Sequence, residues 1–160
     1  MPRSEVTELI DVLRSKGLRM SAAESCTGGM IGCMMTSVPG SSDVFLGSAV
    51  TYSNEAKESI LKVSHQTLMD HGAVSEETAR QMAIGSIDAY GSDIAVAVTG
   101  IAGPGGATDT KPVGLVYIAV ADGPRTVVTK NNFEGDRQSV RKQTALEAIR
   151  LAKDMVEGRL

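Results

Sequence analysis

The chain is poor in the residues that many binding and catalytic functions rely on. Aromatic side chains make up 3% of its 160 residues, and tryptophan is absent. Stacking platforms for single-stranded nucleic acid are therefore not expected, and the core has to be built from Ala, Val, Ile, Leu and eight Met. The two histidines, His65 and His71, sit in a polar stretch with no glycine-rich turn beside them, which disfavours a histidine-based triad. Two cysteines, Cys26 and Cys33, are too few for a disulfide framework, and no His, Cys or Asp cluster has metal-ligand spacing. No apolar run approaches the ~18–20 residues of a membrane span. Met1-Pro2-Arg3-Ser4 leads directly toward a helix, without the apolar core of a signal peptide. A net charge of −3 speaks against a general nucleic-acid binder. The expectation is a cytoplasmic, thiol-reduced chain with no nucleic-acid or membrane partner and no metal.

What is present is a 42% hydrophobic chain of the size of one ordinary domain, residues 1–160, with no repeat and no linker. Ser4 can cap a helix with apolar positions Val6, Leu9, Ile10 and Leu13, stopped by Gly17. Residues 18–23 read as a strand, 27–37 as a helix, 39–42 as a turn and 44–52 as a second strand. Asn54 is expected to cap a helix running to Leu61, residues 64–72 to make a short helical turn, and Ser75 to cap a longer helix. Residues 93–98 form a nearly continuous apolar strand, the pattern of a sheet covered on both faces. Residues 113–121 and 125–133 read as a hairpin, and a last helix runs from about 136 to the C-terminus. The pattern predicts an α/β fold, a three-layer α/β/α sandwich with a mixed, centrally parallel sheet.

The stretch Ala22-Ala23-Glu24-Ser25-Cys26-Thr27-Gly28-Gly29 has the form of a strand turning sharply into a helix N-terminus. Free N–H groups at such a turn attract negative charge. Ser25 is placed there as a candidate nucleophile, with the N–H groups of Thr27, Gly28 or Gly29 as oxyanion donors. The plainer alternative is that Ser25 or Thr27 is a helix cap. Cys26 is a rival nucleophile, since a thiol at a helix N-terminus has a lowered pKa, and is alternatively a small buried hydrophobe.

A serine nucleophile needs a base. With Asn54 as cap, Lys57 falls in the first turn of a helix, where the dipole and partial burial both push its pKa toward the neutral amine. Tyr52 could relay a proton or hold the amine; a surface lysine is the alternative. The loop Thr99-Gly100-Ile101-Ala102-Gly103-Pro104-Gly105-Gly106 follows a buried strand, where open α/β sheets bind ligands. Thr99, Gly100, Gly103 and Gly105 of this loop, together with Asn54, are substrate-binding candidates, although the loop matches neither Walker A nor G-x-G-x-x-G. Arg137 and Arg141 lie four apart at the start of the last helix. Either Glu134 or Asp136 pairs with them, or an anion such as a phosphate bridges them.

Six motifs, in order and over nearly the whole chain, resemble the CinA C-terminal domain family, the stand-alone nicotinamide mononucleotide deamidases. They are the 22–29 run; Pro39-Gly40-Ser41-Ser42; Thr51-Tyr52-Ser53-Asn54 with Lys57; the 99–106 loop; Lys111-Pro112-Val113-Gly114; and Gly135-Asp136-Arg137. The resemblance implies an amidohydrolase that converts nicotinamide mononucleotide and water to nicotinate mononucleotide and ammonia, in pyridine-nucleotide recycling. It implies Ser25 as nucleophile, Lys57 as its base and Tyr52 nearby, with no cofactor. Some members carry a further N-terminal nucleotide-processing domain, for which this chain has no room. The chain is expected to be a homo-oligomer. Two other readings stay open: a non-catalytic nucleotide-binding regulatory module, and a Ser/Lys amidase for another small substrate.

Overall fold

A computed structural model describes residues 4–160; the expected lead-in at Met1, Pro2 and Arg3 lies outside the described residues. Helix α1 (Glu5–Lys16) is capped by the Ser4 hydroxyl and stopped by Gly17 in the left-handed conformation, and it buries Val6, Leu9, Ile10 and Leu13. Strand β1 (Met20–Glu24) follows, then α2 (Met30–Thr36), a 3₁₀ turn at Ser41–Asp43 and β2 (Phe45–Val50). Next come α3 (Asn54–Leu61), α4 (His65–His71), α5 (Glu76–Tyr90), β3 (Ile94–Gly100), the hairpin β4 (Leu115–Ala121) and β5 (Thr126–Asn132), and α6 (Arg137–Val156).

The strands form one five-stranded sheet in the order β2-β1-β3-β4-β5. β1 pairs in parallel with β2 and β3, whereas β3–β4 and β4–β5 are antiparallel. The parallel half therefore extends to the β2 edge, and the antiparallel hairpin forms the other edge. Side-chain alternation separates the two faces. Ile94, Val96, Val98, Val116, Ile118 and Val120 pack in one cluster with residues of α1, α2 and α6. Ala97, Ala119 and Ala121 face the other way, with Leu61, Leu68, Met82 and Ala83 of α3, α4 and α5. The result is the expected α/β/α sandwich, with bulky strand residues toward one helix layer and alanines toward the other.

Two helix starts differ from expectation. α2 begins at Met30 rather than Thr27, because Gly28 (φ +59°) and Gly29 (φ +104°) are left-handed and cannot continue a right-handed helix. α3 is capped by Ser53, whose hydroxyl accepts from the Ala56 N–H, so Asn54 is its first helical residue. Among the described residues no helix is long and apolar enough to cross a membrane.

The alanine-rich face lets α5 approach closely. A Cβ on Gly85 would lie 2.0 Å from the Leu61 carbonyl oxygen, at the end of α3. Gly85→Ala would gain about 1 kcal/mol of helix propensity, but it must displace backbone, and overpacking of this kind costs about 1–3 kcal/mol. The clash is expected to win, so urea denaturation should show a net loss of stability. An unchanged or raised midpoint would show that α3 and α5 separate freely.

Candidate active site

Three chain segments meet at the carboxyl ends of the parallel strands, the place where open α/β sheets bind ligands. The turn after β1 brings Ser25 and Cys26, the segment after β2 brings Tyr52, Asn54 and Lys57, and the end of β3 with the loop after it brings Thr99 to Gly103, Gly105 and Gly106. Together with Arg137 from α6 they line a cleft of about 280 Å³.

Lys57 is the largest fully buried side chain, at 1% exposure. Its Nζ lies 3.1 Å from Ser25 Oγ, 2.9 Å from the Thr51 carbonyl oxygen and 3.4 Å from the Tyr52 carbonyl oxygen. Burial holds its pKa below the usual 10.5. A neutral amine has two hydrogens and one lone pair. The two carbonyls can take the hydrogens, which leaves the lone pair for the Ser25 hydroxyl. That arrangement makes Lys57 a proton acceptor and Ser25 Oγ the atom it would deprotonate. The cause is burial at the fourth helical position behind the Ser53 cap. Cys26 goes the other way: burial pushes its thiol up to about 11, above the 9.0 of a free thiol, although its own backbone hydrogen bond and Arg141 pull it down. The expected lowering of the Cys26 pKa is overturned, and the thiol stays protonated at neutral pH.

The N-terminus of α2 does not open onto the cleft. Glu24, wholly buried at the end of β1, fills it. Its Oε1 accepts from Thr27 Oγ1 (2.6 Å) and from the N–H groups of Gly29 (3.2 Å) and Ile31 (2.9 Å). Its Oε2 accepts from the Gly32 N–H (3.1 Å) and from Ser48 Oγ (2.5 Å). The anion that this helix end attracts is the protein's own. Gly28 N–H is also taken, by the Ser25 carbonyl. The assignment of Gly28 and Gly29 as oxyanion donors is thereby corrected. Ser25 N–H donates to the Val98 carbonyl, and Met30 N–H to that of Thr27. Within residues 25–32 only the Cys26 and Thr27 N–H groups donate to no other residue among the described ones, that of Cys26 meeting only its own sulfur.

The remaining candidates separate. Tyr52 is 63% exposed; its hydroxyl accepts from Arg137 Nη2 (3.3 Å), and it is the Tyr52 main chain that meets Lys57. Arg137 Nη1 also donates to the Gly103 carbonyl (2.8 Å), tying α6 to the glycine loop. Neither Glu134 nor Asp136 pairs with it: Asp136 instead caps α6 through the Ser139 N–H. Arg141, expected beside Arg137 on a bridging anion, does not line the cleft with it: it donates to the carbonyls of Cys26 and Thr27. Thr99 donates to the Ala73 carbonyl (2.7 Å). Gly100 lies against β4, where a Cβ would sit 2.5 Å from Val116 Cγ2, whereas Gly105 has open space around it. Asn54 is exposed on the cleft rim.

The histidines lie elsewhere. His65 Nδ1 is 2.5 Å from Glu58 Oε1, and the His71 carbonyl accepts from Lys111. Among the described residues no three His, Cys, Asp or Glu side chains could hold a metal ion. Glu24 is the residue that sequence reasoning overlooked. Its signal was an acid at the end of an otherwise apolar buried strand, directly before a turn rich in unpaired N–H groups.

Fold and site together define an α/β protein with a buried serine–lysine pair at the switch of a mixed sheet. The sequence profile of the CinA C-terminal domain matches residues 3–156, and the chain belongs to that family. It is 53% identical over 138 residues to a CinA-like protein of Citrifermentans bemidjiense, covering 86% of this chain and 33% of that protein. It is 47% identical over 148 residues to a putative competence-damage inducible protein of Caldicellulosiruptor bescii, covering 92% and 36%. The chain thus spans about a third of the length of the curated relatives it matches. A crystal structure of a CinA superfamily protein from Klebsiella pneumoniae superposes with a TM-score of 0.93 at 32% identity, covering 96% of each chain. The competence/damage inducible protein CihA from Agrobacterium tumefaciens gives 0.85 at 38% identity, covering 99% of this chain and 98% of that one.

Glu24→Ala would strand buried donors and is expected to cost roughly 3 kcal/mol or more in chemical denaturation; a loss under about 1 kcal/mol would mean that water replaces the carboxylate. A second outcome follows from Lys57. Its pKa is lower folded than the 10.5 of the free amine, so between those values the unfolded chain binds more protons and rising pH favours folding. The unfolding free energy of the wild type minus that of Lys57→Met should therefore rise with pH across that window and level off above 10.5. A flat difference would show an ordinary, solvated lysine.

Proposed function

We propose that this chain is an amidohydrolase that deamidates nicotinamide mononucleotide to nicotinate mononucleotide and ammonia by Ser/Lys nucleophilic catalysis. The observation that carries the reading is the 3.1 Å contact between Ser25 Oγ and a buried amine whose pKa burial lowers. Membership of the CinA C-terminal domain family supports it. The cleft of about 280 Å³ suits a pyridine ring and part of a ribose, and Arg137 with the exposed rim of the glycine loop suits the phosphate.

Lys57 Nζ takes the Ser25 proton as Oγ bonds to the carboxamide carbon, and the electron pair of the C=O bond moves onto oxygen. The tetrahedral adduct collapses, the C–N bond breaks, and the leaving nitrogen receives the proton from Lys57 to depart as ammonia. Water then attacks the nicotinoyl ester of Ser25, with Lys57 again taking a proton and returning it to Oγ. In this reading Tyr52 orients Arg137 through its hydroxyl rather than relaying the Ser25 proton, because its main chain, not its ring, meets Lys57. The protonated Cys26 thiol is a bystander.

Ammonia release from nicotinamide mononucleotide, compared with nicotinamide riboside, tests the reaction and the role of the phosphate together. Wild type should turn over the nucleotide and strongly prefer it to the riboside. Ser25→Ala should lose at least roughly 1000-fold in kcat, and Cys26→Ala should stay within a few fold of wild type. Activity should rise with pH as Lys57 loses its proton below 10.5. Full activity in Ser25→Ala would end the proposal.

A further inference from the structure

Arg141 is a half-buried cation with no carboxylate partner among the described residues. Its Nε donates to the Cys26 carbonyl (3.1 Å), its Nη2 to the Thr27 carbonyl (3.0 Å) and its Nη1 to Gln138 Oε1 (2.5 Å). Its Nη2 also lies 3.3 Å from where a Cβ on Gly28 would be, so the glycine leaves room for the guanidinium. Its bonds therefore go to the turn that carries Ser25 and to a neighbour on its own helix. Arg137, one turn earlier, is the arginine that lines the cleft.

The choice of carbonyls matters. The Cys26 carbonyl and the Thr27 N–H belong to one planar trans peptide, in which oxygen and hydrogen point in opposite directions. Whatever holds the oxygen sets the direction of the N–H, and a cation on the oxygen strengthens the N–H as a donor. The Thr27 N–H is one of the two amides in this turn that donate to no other residue among the described ones. The other, on Cys26, directly follows the nucleophile, the position from which nucleophile-elbow serine hydrolases draw an oxyanion donor. Nearby amides are bonded elsewhere: those of Gly29, Ile31 and Gly32 to Glu24, and that of Gly28 to the Ser25 carbonyl.

We infer that Arg141 is a positioning residue. Through the Cys26 carbonyl it orients and polarises the Cys26–Thr27 peptide, so that the Thr27 N–H joins the Cys26 N–H in receiving the oxyanion that forms when Ser25 attacks. The inference rests on the Ser25–Lys57 reading but not on the identity of the substrate. Glu24 and Arg141 then divide the turn between them: the carboxylate takes up the amides of α2, and the guanidinium takes the carbonyls of the nucleophile segment.

The test uses two readouts on the full chain. One is kcat and KM for ammonia release from nicotinamide mononucleotide. The other is the rate at which a fluorophosphonate phosphonylates Ser25, a step in which Oγ displaces fluoride, its proton passes to Lys57, and the phosphoryl oxygen takes the oxyanion position. Arg141→Met is expected to lower kcat and the phosphonylation rate together by roughly 10- to 100-fold, with KM within about threefold of wild type. Arg141→Lys should recover part of both. A raised KM with unchanged kcat would instead make Arg141 a phosphate ligand, and an unchanged phosphonylation rate overturns the inference even if ammonia is released. Labelling of Ser25 that Arg141→Met slows, with no ammonia from the nucleotide, would sink the proposed substrate and leave the positioning role standing. A wild type that neither labels nor turns over overturns both. Should Arg141→Met lose its circular dichroism, Gln138→Ala, which removes the side support of the guanidinium, is read in the same way: a several-fold drop in both rates supports the role, and no change overturns it.

Discussion

An amine buried to 1% exposure, with a serine hydroxyl 3.1 Å away and backbone carbonyls for its remaining neighbours, is a costly thing for a chain of this size to hold. Charging it would put a cation out of water with no carboxylate beside it, so the fold favours the neutral form. The rest of the site depends on that preference. The neutral lone pair needs a proton donor, and the turn after β1 supplies Ser25. The amine hydrogens need acceptors, and the end of β2 supplies the Thr51 and Tyr52 carbonyls. The parallel pairing of β1 with β2, which runs Glu24 alongside Val50, brings the two segments to the same end of the sheet.

Around this pair the charged groups are divided by task. Glu24 is sealed inside and satisfies the first turn of α2, which removes the helix terminus as an anion site and ties down the turn after β1. Arg137 and Arg141, four residues apart on α6, look equivalent in sequence, yet they bond to different segments. Arg137 faces the cleft and ties the glycine loop and Tyr52 to α6. Arg141 grips the Cys26 and Thr27 carbonyls of the turn. The shape of the turn that carries Ser25 thus depends on side chains that do not line the cleft.

Much of the fold could be read in advance because its signals are local. The cap at Ser4, the stop at Gly17, the apolar run before Thr99 and the hairpin flanking residues 122–124 each depend on a few neighbouring residues. The turn after β1 was visible for the same reason, through its small polar residues and paired glycines. The errors arose where a local rule had two solutions. Ser53 and Asn54 are both good caps, and Ser53 won. Gly28 and Gly29 could have opened a helix but took left-handed conformations that delayed it to Met30. Cys26 lies near a helix start, which lowers a thiol pKa, but its burial outweighs the dipole.

The sequence by itself determined which residues could do chemistry and roughly where each element begins, because caps, turns and hydrophobic period act over three or four residues. It also supplied the family likeness through six ordered motifs. Only the tertiary structure decided that Lys57 is buried against Ser25, 32 positions away, that a carboxylate from β1 rather than a ligand fills the α2 terminus, and that Arg141 serves the turn rather than the cleft. Those outcomes depend on desolvation and on which polar groups remain unpaired once the layers close. Both are properties of the packed sheet and helices, and no local stretch of the chain encodes them.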